Sequence, residues 1–306
     1  MALKIIFMGT PNFSVPILDT IYKSKHKIIS VYTQSPKKKY RGQKKNYTPI
    51  HEYAQKNKID IRYPEKLDTT EELNFIKELK PDVVVVVAYG KIIPSNFLDI
   101  KNISFINVHA SLLPRWRGAA PIQRSIMNLD KETGVSIMKI NQKLDTGPFM
   151  LQKKIPINEQ DDYELLSNKL STLGSDLILK SLDLIEKGES KFIEQDNSKA
   201  TYAKKIEKKE SKIDWRISAE NILAQIRGLS PFPGAWFYHK SSRLKIIKAE
   251  KTNMSGKGGE VLTEDLVIAC GFESIKIIKI QKEGKKILDI NEFLSGYKIK
   301  KGEFLT

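Results

Sequence analysis

Five consecutive valines, Val83 to Val87, followed by Ala88, constrain the fold of this chain more than any other stretch. Side chains along a strand alternate between its two faces, so an unbroken β-branched run leaves neither face polar and both must be buried. A strand covered on both sides belongs at the centre of a parallel sheet, with helices packed above and below it. Shorter runs of the same kind lie from Leu3 to Met8, His26 to Tyr32 and Ile103 to Val108. Helical patterns separate them, from Asn12 to Tyr22, Ile50 to Lys56, Glu71 to Leu79 and Pro121 to Met127. The alternation of β and α predicts a doubly wound α/β domain. Another β-like run, Thr133 to Ile140, closes at Leu144-Asp145-Thr146-Gly147-Pro148. A long amphipathic helix is expected from Tyr163 to Lys187, with Leu165, Leu166, Leu170, Leu173, Leu177, Leu179, Leu182 and Ile185 as its apolar positions.

The texture changes at about Gly188. Lys191 to Lys212 is polar, charged and weakly patterned, as a linker would be. A short helix from Ala219 to Arg227 follows, then short β-like runs at Ala235 to Tyr238, Leu244 to Ala249, Gly259 to Leu262, Leu266 to Cys270 and Ile275 to Ile280. Short strands at close spacing suggest a small barrel or sandwich. The expected division is a catalytic domain over 1–189, a linker over 190–207 and a β domain over 208–306.

The open carboxyl edge of a parallel sheet is where such folds place ligands. Gly9-Thr10-Pro11-Asn12-Phe13 occupies the position of a dinucleotide loop, but it lacks that fingerprint's remaining glycines, and its proline removes a backbone donor. Dinucleotide binding is rejected, and without a P-loop neither ATP nor any other nucleotide cofactor is implied. The strand from Ile103 runs into Asn107-Val108-His109. Residues two apart on a strand share a face, so an amide donor and a titratable ring point to one place. Carbonyl chemistry needs that pair, one group to hold an oxyanion and another to move a proton. Asp145, in the turn after the next strand, is expected close enough to bias the imidazole. A histidine at a strand end is often structural, but the shared face and the neighbouring acid favour catalysis. His26, His51 and His239 have no such company and are expected at the surface.

The chain carries 52 Lys and Arg against 36 Asp and Glu, a formal net charge of +16. A polyanionic partner and a merely lysine-rich composition both account for the excess until the charges prove clustered. Lys37, Lys38, Lys39, Arg41, Lys44 and Lys45 do cluster, with Tyr40 and no acid among them, in an expected loop beside the sheet's carboxyl edge. Phosphates would neutralise and order such a loop. A second cluster, Lys199, Lys204, Lys205, Lys208, Lys209 and Lys212, is interleaved with acids and signals less. The single cysteine, Cys270, lies in an apolar run, so neither an internal disulfide nor a cysteine zinc cluster is expected. A reducing compartment suits it. The apolar run at the N-terminus is too short for a signal segment and no stretch approaches membrane-spanning length, so the expectation is a cytoplasmic protein, and a monomer.

At Asn107-Val108-His109-Ala110-Ser111-Leu112-Leu113-Pro114-Arg115-Trp116-Arg117-Gly118-Ala119-Ala120-Pro121-Ile122-Gln123-Arg124 the chain resembles the methionyl-tRNA formyltransferases. Leu144-Asp145-Thr146-Gly147, Met8-Gly9-Thr10-Pro11, Val87-Ala88-Tyr89-Gly90, Ile213-Asp214-Trp215 and Pro231-Phe232-Pro233-Gly234-Ala235-Trp236 extend the resemblance over essentially the whole chain. The Asn, His, Ser-Leu-Leu-Pro and Asp features are shared with other enzymes that use 10-formyltetrahydrofolate. The Arg-Trp-Arg-Gly-Ala-Ala-Pro continuation, the basic loop and the C-terminal β domain select the tRNA branch. Two positions depart: Ala110 stands where Gly is common, and Ser35-Pro36 with a lysine run stands where Asp-Pro and a more Gly-rich stretch are usual.

The resemblance implies a Rossmann-like domain followed by an OB-like β-barrel. It implies a formyl donor, 10-formyltetrahydrofolate, bound in a cleft that includes Ser111, Leu112, Leu113 and Pro114, with no metal. The acceptor would be the α-amine of methionine on initiator tRNA. Asn107 and protonated His109 would donate to the tetrahedral oxyanion, Asp145 would hold His109 and help route a proton, and the basic loop would meet the tRNA acceptor end. Two other readings compete. One is a formyl transferase or hydrolase acting on a small molecule. The other is a non-catalytic RNA-binding protein, which predicts loss of the Asn, His and Asp set that is present here.

Overall fold

The Val83–Val87 strand sits between two parallel neighbours, with Ile5 to Gly9 paired to Val83 to Val87 on one side and Val83 to Val86 paired to Ser104 to Asn107 on the other. Its valines are almost completely inaccessible, as a strand covered on both faces must be. The computed structural model describes residues 2–38 and 45–306, with only the backbone of Lys37 and Lys38. The chain packs as two compact units. One comprises Met1–Gly118, Thr133–Ile155 and Ser167–Tyr202; the other comprises Ala119–Glu132, Pro156–Leu166 and Ala203–Thr306.

The first unit is built on a seven-stranded sheet in the order Phe149–Pro156, Glu132–Lys139, Ser104–His109, Val83–Val87, Lys4–Gly9, Lys27–Tyr32, Ile61–Arg62. The last five strands are parallel, and Glu132–Lys139 runs antiparallel to Ser104–His109. Chain order therefore reverses between Lys4–Gly9 and Val83–Val87. That reversal is the crevice where doubly wound sheets admit ligands. The mostly parallel, Rossmann-like domain expected from the sequence is present.

Two helices show why the strands hold their places. Ser14–Tyr22 buries Ser14, Ile17, Leu18 and Ile21, one face at helical spacing. Tyr163–Glu186 buries Leu170, Leu173, Leu177, Ile178 and Leu182, while Leu165, expected in its apolar stripe, is 49% exposed. Gly174 lets this helix approach closely, since a Cβ there would lie 3.1 Å from both Ile17 and Val108. The edge strand Phe149–Pro156 was not anticipated. Its lysines, Lys153 and Lys154, face solvent and break the apolar alternation.

The second unit centres on an antiparallel sheet in the order Ala235–His239, Ser242–Thr252, Ser274–Lys282, Val267–Ala269, with Ile287–Asp289 also paired to Ser274–Lys282. This is the small OB-like domain in the form of a half-barrel. Register shifts between Ile246 and Ala249 bend the long central strand. The helix Ala219–Leu229, capped by the Ser218 side chain accepting from the Asn221 amide, adds Ala219, Ile222 and Ile226 to the core. Trp215 meets Phe237 edge-on in that core, with ring centroids 5.6 Å apart. Gly259 to Leu262 forms isolated bridges, Glu260 to Phe304 and Val261 to Ile268, rather than the expected strand.

Cys270 is buried, and burial pushes its thiol up to about 12. It is expected to stay unmodified by a thiolate-directed reagent at neutral pH until the chain unfolds, as thiol titration with and without denaturant would read. The three histidines expected at the surface are instead buried, each through contacts distant in sequence or with aromatic neighbours. His26 Nδ1 accepts the Leu3 amide at 3.3 Å, the His51 ring stacks on Tyr47 at 4.1 Å, and His239 lies between the Tyr297 hydroxyl at 3.0 Å and Glu303 at 2.6 Å. Burial lowers the pKa of His26 and His51 below the ordinary histidine value.

Among the described residues, no helix is long and apolar enough to cross a membrane.

Candidate active site

The residues singled out in the sequence lie toward the carboxyl edge of the parallel strands. Asn107 and His109 lie at the end of Ser104–His109, in register with Met138 and Ser136 of the neighbouring strand. Asn107 is half-buried and His109 is 5% exposed.

Two loops close on the imidazole. The Trp116 carbonyl lies 2.9 Å from His109 Nε2. A carbonyl only accepts, so Nε2 carries the hydrogen and donates it. Nδ1 is left facing Asp145 Oδ2 at 3.7 Å. That separation is too long for a hydrogen bond but keeps the carboxylate beside the ring. Asp145 Oδ2 also accepts the Gly118 amide at 2.8 Å, which fixes the carboxylate at this distance. Trp116 (φ 60°) and Asp145 (φ 48°) both adopt the left-handed backbone region. Non-glycine residues rarely sit there, and such strain collects at functional sites. The structure thus brings His109 and Asp145 together, with Asn107 two residues earlier on the strand that carries His109.

The Ser111-Leu112-Leu113-Pro114 turn lies beside them. Ser111 is inaccessible and its hydroxyl donates to the Arg115 carbonyl at 2.6 Å, so it serves the turn itself. Ser136 ties the turn to the sheet, donating to the Ser111 carbonyl at 2.6 Å and accepting from the Leu113 amide at 3.1 Å. Leu113 is buried, while Leu112 and Pro114 are half-buried. The turn therefore offers two partly open apolar side chains, Leu112 and Pro114.

Across the chain-order reversal, the loops after the first and fourth parallel strands are stitched together. Thr10 Oγ1 donates to the Tyr89 carbonyl at 2.8 Å, Gln34 Nε2 donates to the same carbonyl at 3.0 Å, and Ser14 Oγ donates to the Val87 carbonyl at 2.7 Å. The Tyr89 ring is buried, and its hydroxyl has no partner among the described residues.

Of the basic loop, Lys37–Lys38 pairs antiparallel with Lys45–Asn46, and Lys45 is exposed. Lys39, Arg41 and Lys44 lie outside the described residues, as do the side chains of Lys37 and Lys38.

Sequence reasoning missed Gln195. It lies in the polar stretch after Gly188, yet it is 7% exposed and bonded to Arg117, which is itself 2% exposed. No local pattern marks it, because every partner is far away in sequence. Gly147 was legible as a turn residue but not as a close approach: a Cβ there would lie 1.9 Å from the Lys139 carbonyl oxygen. Gly147→Ala is expected to displace the Asp145 turn, lowering thermal stability by about 1–3 kcal/mol, readable by denaturant unfolding.

The comparison with known proteins makes the chain a formyl transferase. Residues 3–182 match the formyl transferase family, and residues 205–298 match the formyl transferase C-terminal domain. The chain belongs to the methionyl-tRNA formyltransferase family. It is 53% identical to the methionyl-tRNA formyltransferase of Pelagibacter ubique, over 100% of this chain and 99% of that one, and 44% identical to that of Bartonella quintana, over 98% and 99%. Among solved structures, HypX from Aquifex aeolicus in complex with tetrahydrofolic acid aligns over 100% of this chain with a TM-score of 0.69 at 18% identity. That likeness is one of fold, and this chain spans 51% of HypX.

Proposed function

We propose that this protein transfers the formyl group of 10-formyltetrahydrofolate to the α-amino group of methionine on initiator methionyl-tRNA, the modification used in translation initiation. The observation that carries the reading is full-length identity to enzymes of that name, joined to the Asn107, His109 and Asp145 geometry. Asn107 is placed to donate its amide to the formyl oxygen as that oxygen gains charge. His109, with Nε2–H held by Trp116, donates from Nδ1 when protonated. Asp145 stabilises the imidazolium and, with His109, routes the amine's proton toward the leaving nitrogen. Pre-positioned donors aimed at a developing charge are the largest single source of rate in such reactions.

The folate is proposed to lie along Ser111, Leu112, Leu113 and Pro114, with Leu112 and Pro114 giving apolar contact and the turn's backbone giving polar contact. A fold neighbour that holds tetrahydrofolate supports that ligand class. Residues 1–189 are assigned to transfer and 208–306 to holding tRNA, with 190–207 joining them. The cations from Lys37 to Lys45 are assigned to the tRNA acceptor end. A cytoplasmic monomer that needs no metal completes the reading.

The test is a choice of acceptor. The protein is incubated with 10-formyltetrahydrofolate and, separately, with initiator methionyl-tRNA, free methionine and an amino-sugar nucleotide. Formylated methionyl ester as the only product is the expected outcome. Formylation of a small amine instead would replace this reading with the small-molecule alternative.

A further inference from the structure

We propose that Gln195 is a positioning residue for the transfer reaction, holding the two loops that orient His109. The inference rests on the function proposed above for that site.

The geometry uses the whole carboxamide. Gln195 Oε1 accepts from Arg117 Nε at 3.0 Å and from Arg117 Nη2 at 2.8 Å. Gln195 Nε2 donates to the Asp145 carbonyl at 2.9 Å and to the Gly147 carbonyl at 2.6 Å. The orientation of the amide follows from chemistry: a guanidinium only donates and carbonyls only accept, so oxygen must face Arg117 and nitrogen must face the turn. Both lone pairs and both hydrogens are thereby satisfied inside a buried site, and such fully used networks rigidify what they join.

What they join is specific. Arg117 follows Trp116, whose carbonyl takes the His109 Nε2 hydrogen, and Asp145 carries the carboxylate facing His109 Nδ1. Gln195 therefore bridges the loop on one side of the imidazole to the loop on the other. The segment around it repeats the link. Asn197 Oδ1 accepts from Arg117 Nη2 at 2.8 Å, Thr201 Oγ1 accepts from the Trp116 amide at 2.9 Å, and the Thr201 carbonyl accepts from the Arg117 amide at 2.9 Å. The backbones of Trp116 and Asp145 are both held in the left-handed region, a state that persists only when the surroundings over-determine it. Gln195 and its neighbours supply that restraint. An imidazole held by one carbonyl and a carboxylate loses its tautomer and aim if either loop drifts, and groups that orient a catalytic residue typically carry about 10–100-fold in rate.

Gln195→Ala would leave the buried Arg117 without two acceptor contacts and could fail to fold. Gln195→Glu keeps an acceptor for Arg117 but turns the two donations to the Asp145 turn into an anionic oxygen facing two carbonyls, so it releases the turn without emptying the Arg117 side. Two readouts are needed. The first is steady-state formylation by Gln195→Glu: kcat is expected to fall roughly 10–100-fold, with KM for donor and tRNA unchanged and an altered pH profile of kcat. The second is the nitrogen-15 NMR spectrum of the His109 ring in the free protein. Wild type should show the Nε2–H tautomer, and Gln195→Glu a mixture.

Wild-type kcat and pH profile in a folded Gln195→Glu variant, or an unchanged ring spectrum, would overturn the proposal. The NMR arm does not depend on the acceptor. An inactive wild type with the expected ring spectra would count against the proposed function while leaving the positioning of His109 supported.

Discussion

Replacing His109 with alanine is expected to slow formyl transfer by about a hundredfold or more, and Asn107→Ala by a similar factor, because each would remove one of the two donors proposed for the oxyanion. Affinity for tRNA should stay nearly unchanged in both, since neither side chain belongs to the cationic loop. The two variants differ in their structural consequences. His109→Ala also strips the Trp116 carbonyl of its hydrogen bond at the edge of a buried site, so a loss of stability of about 1–3 kcal/mol should accompany it. Asn107 is only half-buried, so its variant should melt closer to wild type. Single-turnover rates at saturating donor, read beside thermal melts, separate chemistry from folding. Unchanged turnover in either variant would remove that residue from the mechanism.

The second large effect concerns charge. Exchanging Lys37, Lys38, Lys39, Arg41, Lys44 and Lys45 for glutamine is expected to weaken tRNA binding strongly at low salt. Each cation that neutralises a phosphate releases counterions, so the slope of log affinity against log salt should flatten by roughly 0.7–0.9 per lost contact. Transfer to saturating tRNA should be affected less than binding, because the loop carries none of the three groups assigned to the chemistry. Filter-binding isotherms across a salt series read the slope, and a slope equal to wild type would exclude the loop from the tRNA interface.

The parts of this molecule that were readable in advance were those written locally. Five valines demand burial on both faces, so Val83 to Val87 was legible as a central strand, and the apolar runs from Leu3 to Met8 and Ile103 to Val108 as its neighbours. Asn107 and His109 were readable as a pair because strand periodicity places residues two apart on one face. Asp145 needed one further step, the expectation that the next strand lies alongside; Glu132–Lys139 does pair with Ser104–His109, but antiparallel, and the Gly118 amide and Gln195 hold the following turn against the ring.

Other parts were illegible for equally physical reasons. The strand Phe149–Pro156 lies at a sheet edge, where lysines replace the apolar face that would have announced it. His239 owes its burial to Tyr297 and Glu303, about sixty residues away, and His26 to the amide of Leu3, so a reading of neighbours alone placed both at the surface. The tautomer of His109 depends on the Trp116 carbonyl, seven residues on in a loop whose backbone at Trp116 adopts φ 60°. Gln195 sits in a stretch that reads as solvated linker, and only the folded chain shows it bonded to Arg117 and to the Asp145 turn.

The central claim is that formyl transfer takes place at Asn107, His109 and Asp145. The most direct measurement is a crystal structure of the protein with a formyl-bearing tetrahydrofolate analogue that does not react. The account predicts the formyl oxygen at about 3 Å from both the Asn107 side-chain amide and His109 Nδ1, with the pterin against Leu112 and Pro114. A formyl group seated elsewhere, out of reach of both donors, would contradict it.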